Sequence, residues 1–381
     1  MLMLVSMPLF FLLIVSGGCS RSADIPVNTE RECLEVNGLM ELTPEPGITH
    51  TPEPTSTPIK LVQYKGHVQH IFFHPLIAYP EKAFDNDSLS KGYNDWFITV
   101  SEFKKILDSL YEKNFILVNI NDTYKTIEID GKRTVEKKDL FLPEGKKPLI
   151  ISIDDLNYYE YMILNGNVHK LILDSNGEIA TFSTTPDGKE LISHDNDIVP
   201  ILDSFVKEHD DFSLNGAKGI IALTGYEGVL GYRTHNFDSS LYSNEKEEAS
   251  KVISRLKESG WTFACHGYGH LDAGKIDYNR LERDTKRWKD EVEQLIGATE
   301  VYIYPFGSVL GYKNSKLKYL KSEGFTVFCG VGPEYTEYFS DCIFTDRRSI
   351  DGYSMYINSK RLLDLFDTSE VIDSCRPQEY W

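Results

Sequence analysis

With 381 residues, the chain is long enough for one large domain plus appendages, and 41% hydrophobic with 12% aromatic content describes a folded, enzyme-sized body with a sizeable core. A formal charge of −18 excludes nucleic acid as a partner, because binding to phosphates is driven by basic surface, and it disfavours any other polyanion.

In chain order, Met1 to Ser16 is almost wholly apolar and runs into Ser16-Gly17-Gly18-Cys19 before polar sequence begins. The stretch is short of the roughly 20 residues that a spanning helix needs and has the pattern of a secretory signal with small residues before the cut. Its Gly-Gly-Cys ending resembles the lipobox of bacterial lipoproteins. That resemblance implies a lipoprotein signal peptide over 1–18, acylation of Cys19, and a place at the cell membrane through an N-terminal lipid anchor. No Lys or Arg precedes the apolar stretch and Ser16 stands where Leu is usual, so a plain secretion signal is the alternative. Either address is extracellular. Residues 19–60 contain Thr43-Pro44-Glu45-Pro46 and Thr51-Pro52-Glu53-Pro54, a composition that favours extended, solvated chain. They read as a tether or simply as a disordered terminus.

From residue 61 strands and helices alternate, which predicts a domain over 61–358. Strands are expected at 67–74, 115–119, 148–153, 219–223, 261–265, 300–304 and 326–329, and helices at 100–113, 197–209, 244–259, 278–295 and 315–323. Strand-then-helix order implies a parallel sheet, and this many units in one α/β domain implies a barrel. Between 165 and 196 the rhythm breaks into strand-like runs around Asn176-Gly177 and Asp187-Gly188, a β-hairpin insertion expected beside the active face. Residues 359–381 read as a C-terminal tail. Cys33 falls in the tether, and Cys265, Cys329, Cys342 and Cys375 lack paired spacing, although a Cys329–Cys342 disulfide suits an exported chain. Cys265 reads as a buried strand residue rather than a nucleophile.

The chemistry concentrates at expected strand ends. Asp154-Asp155 closes the apolar run Ile151-Ser152-Ile153, and His266 and His270 follow the strand ending at Cys265. Two imidazoles and one carboxylate suffice to hold a divalent ion, and a second carboxylate is then free to act as a base. Singly, the acid pair reads as a helix cap and the histidines as ordinary imidazoles; together, and on the rim where barrel chemistry sits, they read as a site. Tyr158, Tyr159 and Tyr161 are candidates for stacking on sugar faces or for packing.

The succession of a first strand ending at His74, Ser152-Ile153-Asp154-Asp155, His266-Gly267-Tyr268-Gly269-His270 and Tyr302-Ile303-Tyr304-Pro305-Phe306-Gly307 resembles the NodB-type polysaccharide deacetylases, carbohydrate esterase family four. The resemblance spans about residues 67–350 and implies a distorted (β/α)7-type barrel. It implies Asp154 as general base, and Asp155, His266 and His270 as ligands of a divalent metal. The donor set suits zinc, with cobalt or nickel as alternatives. It also implies an oxyanion donor in the Phe306 backbone amide, with Tyr304, Pro305, Tyr268 and His235 as candidate substrate-binding residues. Two departures stand out. No His follows His270, where the family has one that protonates the leaving amine, so His74, with His235 second, is the candidate acid. Leu156 replaces the usual Gly after the acid pair, and Arg348 loosely matches an arginine that orients the catalytic carboxylate.

These features predict an extracellular, metal-dependent hydrolase that removes N-acetyl groups from a glycan, peptidoglycan or poly-N-acetylglucosamine, leaving oligomeric state open. The alternatives are an O-acetyl polysaccharide esterase using the same apparatus and a glycan-binding lipoprotein that has lost the chemistry.

Overall fold

Seven parallel strands close into a ring. The computed structural model describes residues 60–333 and 335–377, so the leader, Cys19, Cys33 and the Pro/Thr-rich segment lie outside the described residues. The ring consists of β1 (Gln69–Phe73), β2 (Lys147–Asp154), β3 (Ile220–Leu223), β4 (Thr262–Cys265), β5 (Val301–Ile303), β6 (Val327–Val331) and β7 (Ile343–Ser349). Each strand pairs with the next in sequence and β7 returns to β1. Closure leaves the ring no free edge.

Side chains alternate across each strand, so each strand carries two apolar sets. One set, with Ile150, Ile220, Ala264, Val301, Ile303 and Val327, fills the barrel. The other, with Ile151, Ile153, Ile221, Leu223, Tyr302 and Phe328, packs outward against the helices. Strands of a parallel barrel are covered on both faces, which is why these segments read as continuous apolar runs. The covering helices are α1 (Val100–Glu112), α2 (Ile198–Glu208), α3 (Tyr242–Glu258), α4 (Tyr278–Trp288), α5 (Ser315–Ser322) and α6 (Gly352–Ile357). Among the described residues no helix is long and apolar enough to cross a membrane.

Four expectations change in detail. The strand expected at 115–119 exists as Phe115–Leu117, but its ladder is with Lys147–Leu149 at the start of β2, with a single bridge from Leu117 to Ser213, and it stands outside the ring. The ring is closed instead by β7, whose Thr345, Asp346, Arg347 and Arg348 hide it from an apolar pattern. The helix expected over 278–295 is α4 followed by a π-helical turn, Lys289–Glu293. The insertion has three antiparallel strands, Lys170–Leu173, Ile179–Thr184 and Glu190–Ser193. It packs beside α2 and α3. Cys329 and Cys342 are separate, buried thiols, not a disulfide; the pairing of Cys329 with Thr345 in the β6–β7 ladder sets the two cysteines at different heights along the barrel.

Candidate metal centre and active site

The strand ends converge on a cavity of about 490 Å3 at the C-terminal rim of the barrel, within the range of about 300–1,000 Å3 typical of ligand sites. Asp154, Asp155, His266 and His270 all line it. One donor atom each from Asp155, His266 and His270 lies within 4.8 Å of the others, and His270 Nε2 is 3.5 Å from Asp155 Oδ2.

Each donor is oriented from behind, as metal ligands commonly are. The His266 Nδ1 sits 2.9 Å from the Ile303 carbonyl. A carbonyl can only accept, so Nδ1 carries the hydrogen and Nε2 presents its lone pair to the cavity. Burial lowers the His266 pKa, against the opposing pull of Asp154 and Asp155. Tyr159 donates its hydroxyl to Asp155 Oδ1 at 2.6 Å, leaving Oδ2 for the cavity. The loop between the histidines is held by Asp284 of α4, whose carboxylate accepts the Tyr268 and Gly269 amides at 2.8 Å each. Gly267, at φ 67°, lets the backbone turn tightly over that carboxylate.

Backbone strain gathers here. Asp155, His270 and Phe306 have φ of 58°, 51° and 59°, a left-handed conformation that costs a side-chain-bearing residue energy and clusters at functional sites. The Asp155 value accounts for Leu156: the left-handed position falls on the acid itself, and Asn157 secures the turn by accepting from the Thr224 amide and donating to the Thr224 carbonyl. Leu156 is thus free to be a fully buried core residue.

Asp154 is 3% exposed. Burial alone would raise its pKa, but the Arg347 guanidinium, aided by His266, holds the carboxyl well below the usual range. The fork is bidentate, with Arg347 Nη1 and Nη2 at 2.7 and 2.9 Å from the two oxygens. Arg347 in turn donates to Ser152 Oγ at 3.0 Å, and Ser152 meets His70 Nε2 at 3.1 Å, so a polar column runs through the barrel beneath the base. This corrects the expectation for Arg348. That residue points to the opposite face of β7, where it donates to Asp364 and Gln69, because adjacent strand residues face opposite ways.

The other candidates divide. His74 lines the cavity together with Asp154 and Asp351, and its Nδ1 donates to the Trp96 carbonyl at 3.1 Å, which leaves Nε2 outside that bond. Tyr304 and Phe306 also line the cavity; the Phe306 ring is 69% exposed and lies edge-on to His270 at 4.6 Å. The Phe306 amide donates to no backbone carbonyl among the described residues. Pro305 is buried in the turn behind it and does not line the cavity. Tyr268 turns away, its hydroxyl on Glu291 at 2.7 Å, and His235 is likewise outside the lining, near Arg233 and Glu291. Of the three tyrosines after the acid pair only Tyr161 reaches the cavity; Tyr158 and Tyr159 are buried on Asp197 and Asp155. No residue of 165–196 lines the cavity. Cys265 is a buried thiol whose pKa burial pushes far up, which leaves it unreactive.

Sequence reasoning missed Arg347, Asp284, Asn157, Asp351 and Trp96. Only Arg347 carried a signal, its place in an Arg-Arg pair, and that pair does not say which member faces inward.

Residues 234–328 match the family model described as polysaccharide deacetylase. No curated protein matches the chain. Among solved structures, a Bacillus anthracis protein described as a polysaccharide deacetylase aligns with a TM-score of 0.42 and 14% identity, covering 75% of this chain and 65% of its own. A Streptococcus pyogenes deacetylase, solved with acetate, aligns at 0.41 and 11% identity, covering 77% of this chain and 94% of its own. The segment from Thr234 to Phe328, which contains both histidines and the Tyr-Pro-Phe-Gly turn, thus resembles polysaccharide deacetylases in sequence, and the chain carries it on a closed barrel of seven parallel strands.

Proposed function

We propose that the protein is a metal-dependent hydrolase that removes N-acetyl groups from a glycan outside the cell. The observation that carries this reading is the meeting of Asp155, His266 and His270 within 4.8 Å beside an Asp154 kept ionised by Arg347. The donor chemistry fits a cation: two imidazoles and one carboxylate oxygen make a set suited to zinc, with cobalt or nickel as alternatives. Bound there, the cation supplies Lewis acidity that polarises the acetyl carbonyl and acidifies water.

The chain's own groups supply the remainder. Asp154 takes the proton of the attacking water, its carboxylate fixed by the bidentate pair with Arg347 so that Oδ2 lies 4.0 Å from His266 Nε2. The Phe306 N–H donates to the developing oxyanion, a contribution commonly worth about 3 kcal/mol. His74 stands where a protonated Nε2 can give its hydrogen to the departing nitrogen, in place of the absent C-terminal His. Water adds across the amide, and acetate and a free amine leave. The apolar N-terminus ending in Gly-Gly-Cys supports export and a lipid anchor on Cys19, and the net charge of −18 supports a neutral or cationic glycan over an anionic one.

Acetate release from acetylated chito-oligosaccharides, measured with chelator and after zinc is restored, tests the proposal. Release that stops with chelator and returns with zinc is expected. Zinc-loaded protein that binds such glycans but releases no acetate from any of them is the outcome that favours the binding-only alternative.

A further inference from the structure

A second cavity, of about 440 Å3, opens at the opposite end of the barrel from the metal centre. Its ring residues, among them Ile150, Val327 and Ile343, come from the early part of their strands, whereas Asp154, His266 and His270 follow the strand ends. The hairpin Tyr124–Ile129 and Lys132–Lys137 and the strand Leu61–Tyr64 supply its outer wall. That end of a parallel barrel is ordinarily filled by close packing and serves stability. A hollow nearly as large as the one at the metal centre is out of keeping with such a role.

His70 of β1 lines this cavity and is 3% exposed. Its Nε2 meets Ser152 Oγ at 3.1 Å, and its Nδ1 is buried with no hydrogen-bond partner. The hydrogens can be placed from the partners. Arg347 Nη1 donates to Ser152 Oγ at 3.0 Å, so the serine oxygen already accepts there. Among the described residues the Ser152 hydroxyl has no other neighbour to donate to than His70 Nε2. Burial and the Arg347 charge keep the imidazole neutral. A neutral ring that accepts at Nε2 carries its hydrogen on Nδ1, which makes Nδ1–H a buried donor without an acceptor. Such an orphan is costly, and it calls for an oxygen in the cavity.

The charges around the same cavity favour an anionic oxygen over a neutral one. Three lysines, Lys65, Lys137 and Lys138, share the lining with one carboxylate, Asp139, in a chain whose net charge is −18. Lys138 is engaged by the Asn121 carbonyl at 3.0 Å. Lys65 and Lys137 are exposed and have no hydrogen-bond or ion-pair partner among the described residues. One water would satisfy Nδ1–H but would bring no charge to these ammonium groups. We propose that this cavity is a binding site for a small oxyanion, an organic carboxylate or a phosphate, that accepts the hydrogen of His70 Nδ1 and lies against the ammonium groups of Lys65 and Lys137. The site does not rest on the deacetylase reading, and it stands at the far end of the hydrogen-bonded column that runs from His70 through Ser152 and Arg347 to Asp154.

The test is titration of zinc-loaded protein labelled with 15N-histidine, using inorganic phosphate in one arm and succinate in the other. The imidazole whose signals are missing from His70→Asn is expected to move its Nδ1 signal as the anion is added. Reversing the charge of the lysines, in the double variant Lys65→Glu/Lys137→Glu, is expected to weaken binding about tenfold or more. Tighter binding of phosphate marks a phosphate ligand, and tighter binding of succinate a carboxylate. Should His70→Asn fail to fold, as judged by its thermal unfolding, calorimetric titration of the wild type and the lysine variant carries the test, since both substitutions lie on exposed side chains. Binding of equal strength in the lysine variant would place the anion at the metal centre and overturn the site. The site is equally overturned if neither anion binds at millimolar concentration, or if the His70 signals stay fixed while an anion binds.

Discussion

At the scale of single residues, two adjacent arginines on β7 show how much a strand's alternation decides. Arg347 is fully buried in the barrel and clamps both oxygens of Asp154, whereas Arg348 faces the outer layer and holds Asp364. A carboxylate as buried as Asp154 would be driven towards its neutral form, so its use as a base depends on that guanidinium. Lysine keeps the charge but loses the planar fork. Arg347→Lys is therefore expected to lower kcat for acetate release about 100-fold, through a misaimed base, and Arg348→Lys only a few-fold at most. Equal losses in the two variants, or full activity in Arg347→Lys, would remove Arg347 from this role. The four residues Asp154, Asp155, His266 and His270 were legible because acid pairs and paired imidazoles after apolar runs are rare enough to notice. Arg347 was not, since facing in and facing out look alike in an Arg-Arg sequence whose neighbours Cys342, Ile343 and Phe344 are apolar on both faces.

At the scale of elements, the strands with long apolar runs were legible from composition, and β7 was not, since it puts Thr345 and Arg347 where its neighbours mostly put apolar residues. The left-handed turns were also hidden: Asp and His enter that conformation more readily than most side-chain-bearing residues, but too seldom for Asp155 and His270 to mark it, and Phe306 gives no sign of it. Helix α2 shows how the elements around the site are tied. Its N-cap, Asp197, accepts from the Ile198 amide at 2.7 Å and the Leu76 amide at 2.9 Å, and also from the Tyr158 hydroxyl. One buried carboxyl thus joins α2 to the chain just beyond His74 and just beyond Asp155. Burial pushes that carboxyl up to about 6, from 3.8 for the unperturbed group. Because the folded-state pKa is the higher one, the folded protein binds more protons between these values, and stability falls as pH rises from about 4 to about 6. The full loss, on the order of 3 kcal/mol, is present above that window. Asn at 197 cannot titrate, so the unfolding midpoint of the wild type relative to Asp197→Asn is expected to decline across pH 4–6.5. Parallel profiles for the two proteins would show that Asp197 does not titrate in this window.

For the molecule as a whole, the C-terminal region is the part that sequence reading most undervalued, because the helical spacing of Leu362, Leu365 and Phe366 covers one turn and is not continued at Ser369 or Glu370, yet these residues and Val371 are buried against the barrel's outer layer. Their anchor is Arg376, fully enclosed, which donates to Glu102 at 2.6 and 2.8 Å and to the Asn94 and Phe97 carbonyls at 2.9 and 2.6 Å. Glu102 is at the same time the capping-box residue of α1, accepting the Thr99 amide at 2.8 Å. A single carboxylate therefore starts the first barrel helix, pins the segment around Arg376, and through that arginine's bonds to Asn94 and Phe97 steadies the stretch that carries Trp96 to the cavity. Removing one partner of such a pair leaves the other buried and uncompensated, which commonly costs 3–5 kcal/mol, whereas removing the charge from both sides costs far less. Arg376→Leu is expected to lower the unfolding free energy by roughly that amount. Adding Glu102→Gln, which can still serve the capping box, is expected to recover more than half of the loss, a coupling that denaturant unfolding of the two single variants and the double variant measures directly. Losses that simply add would mean that the pair is not coupled and that the tail is held by its leucines and Phe366 alone.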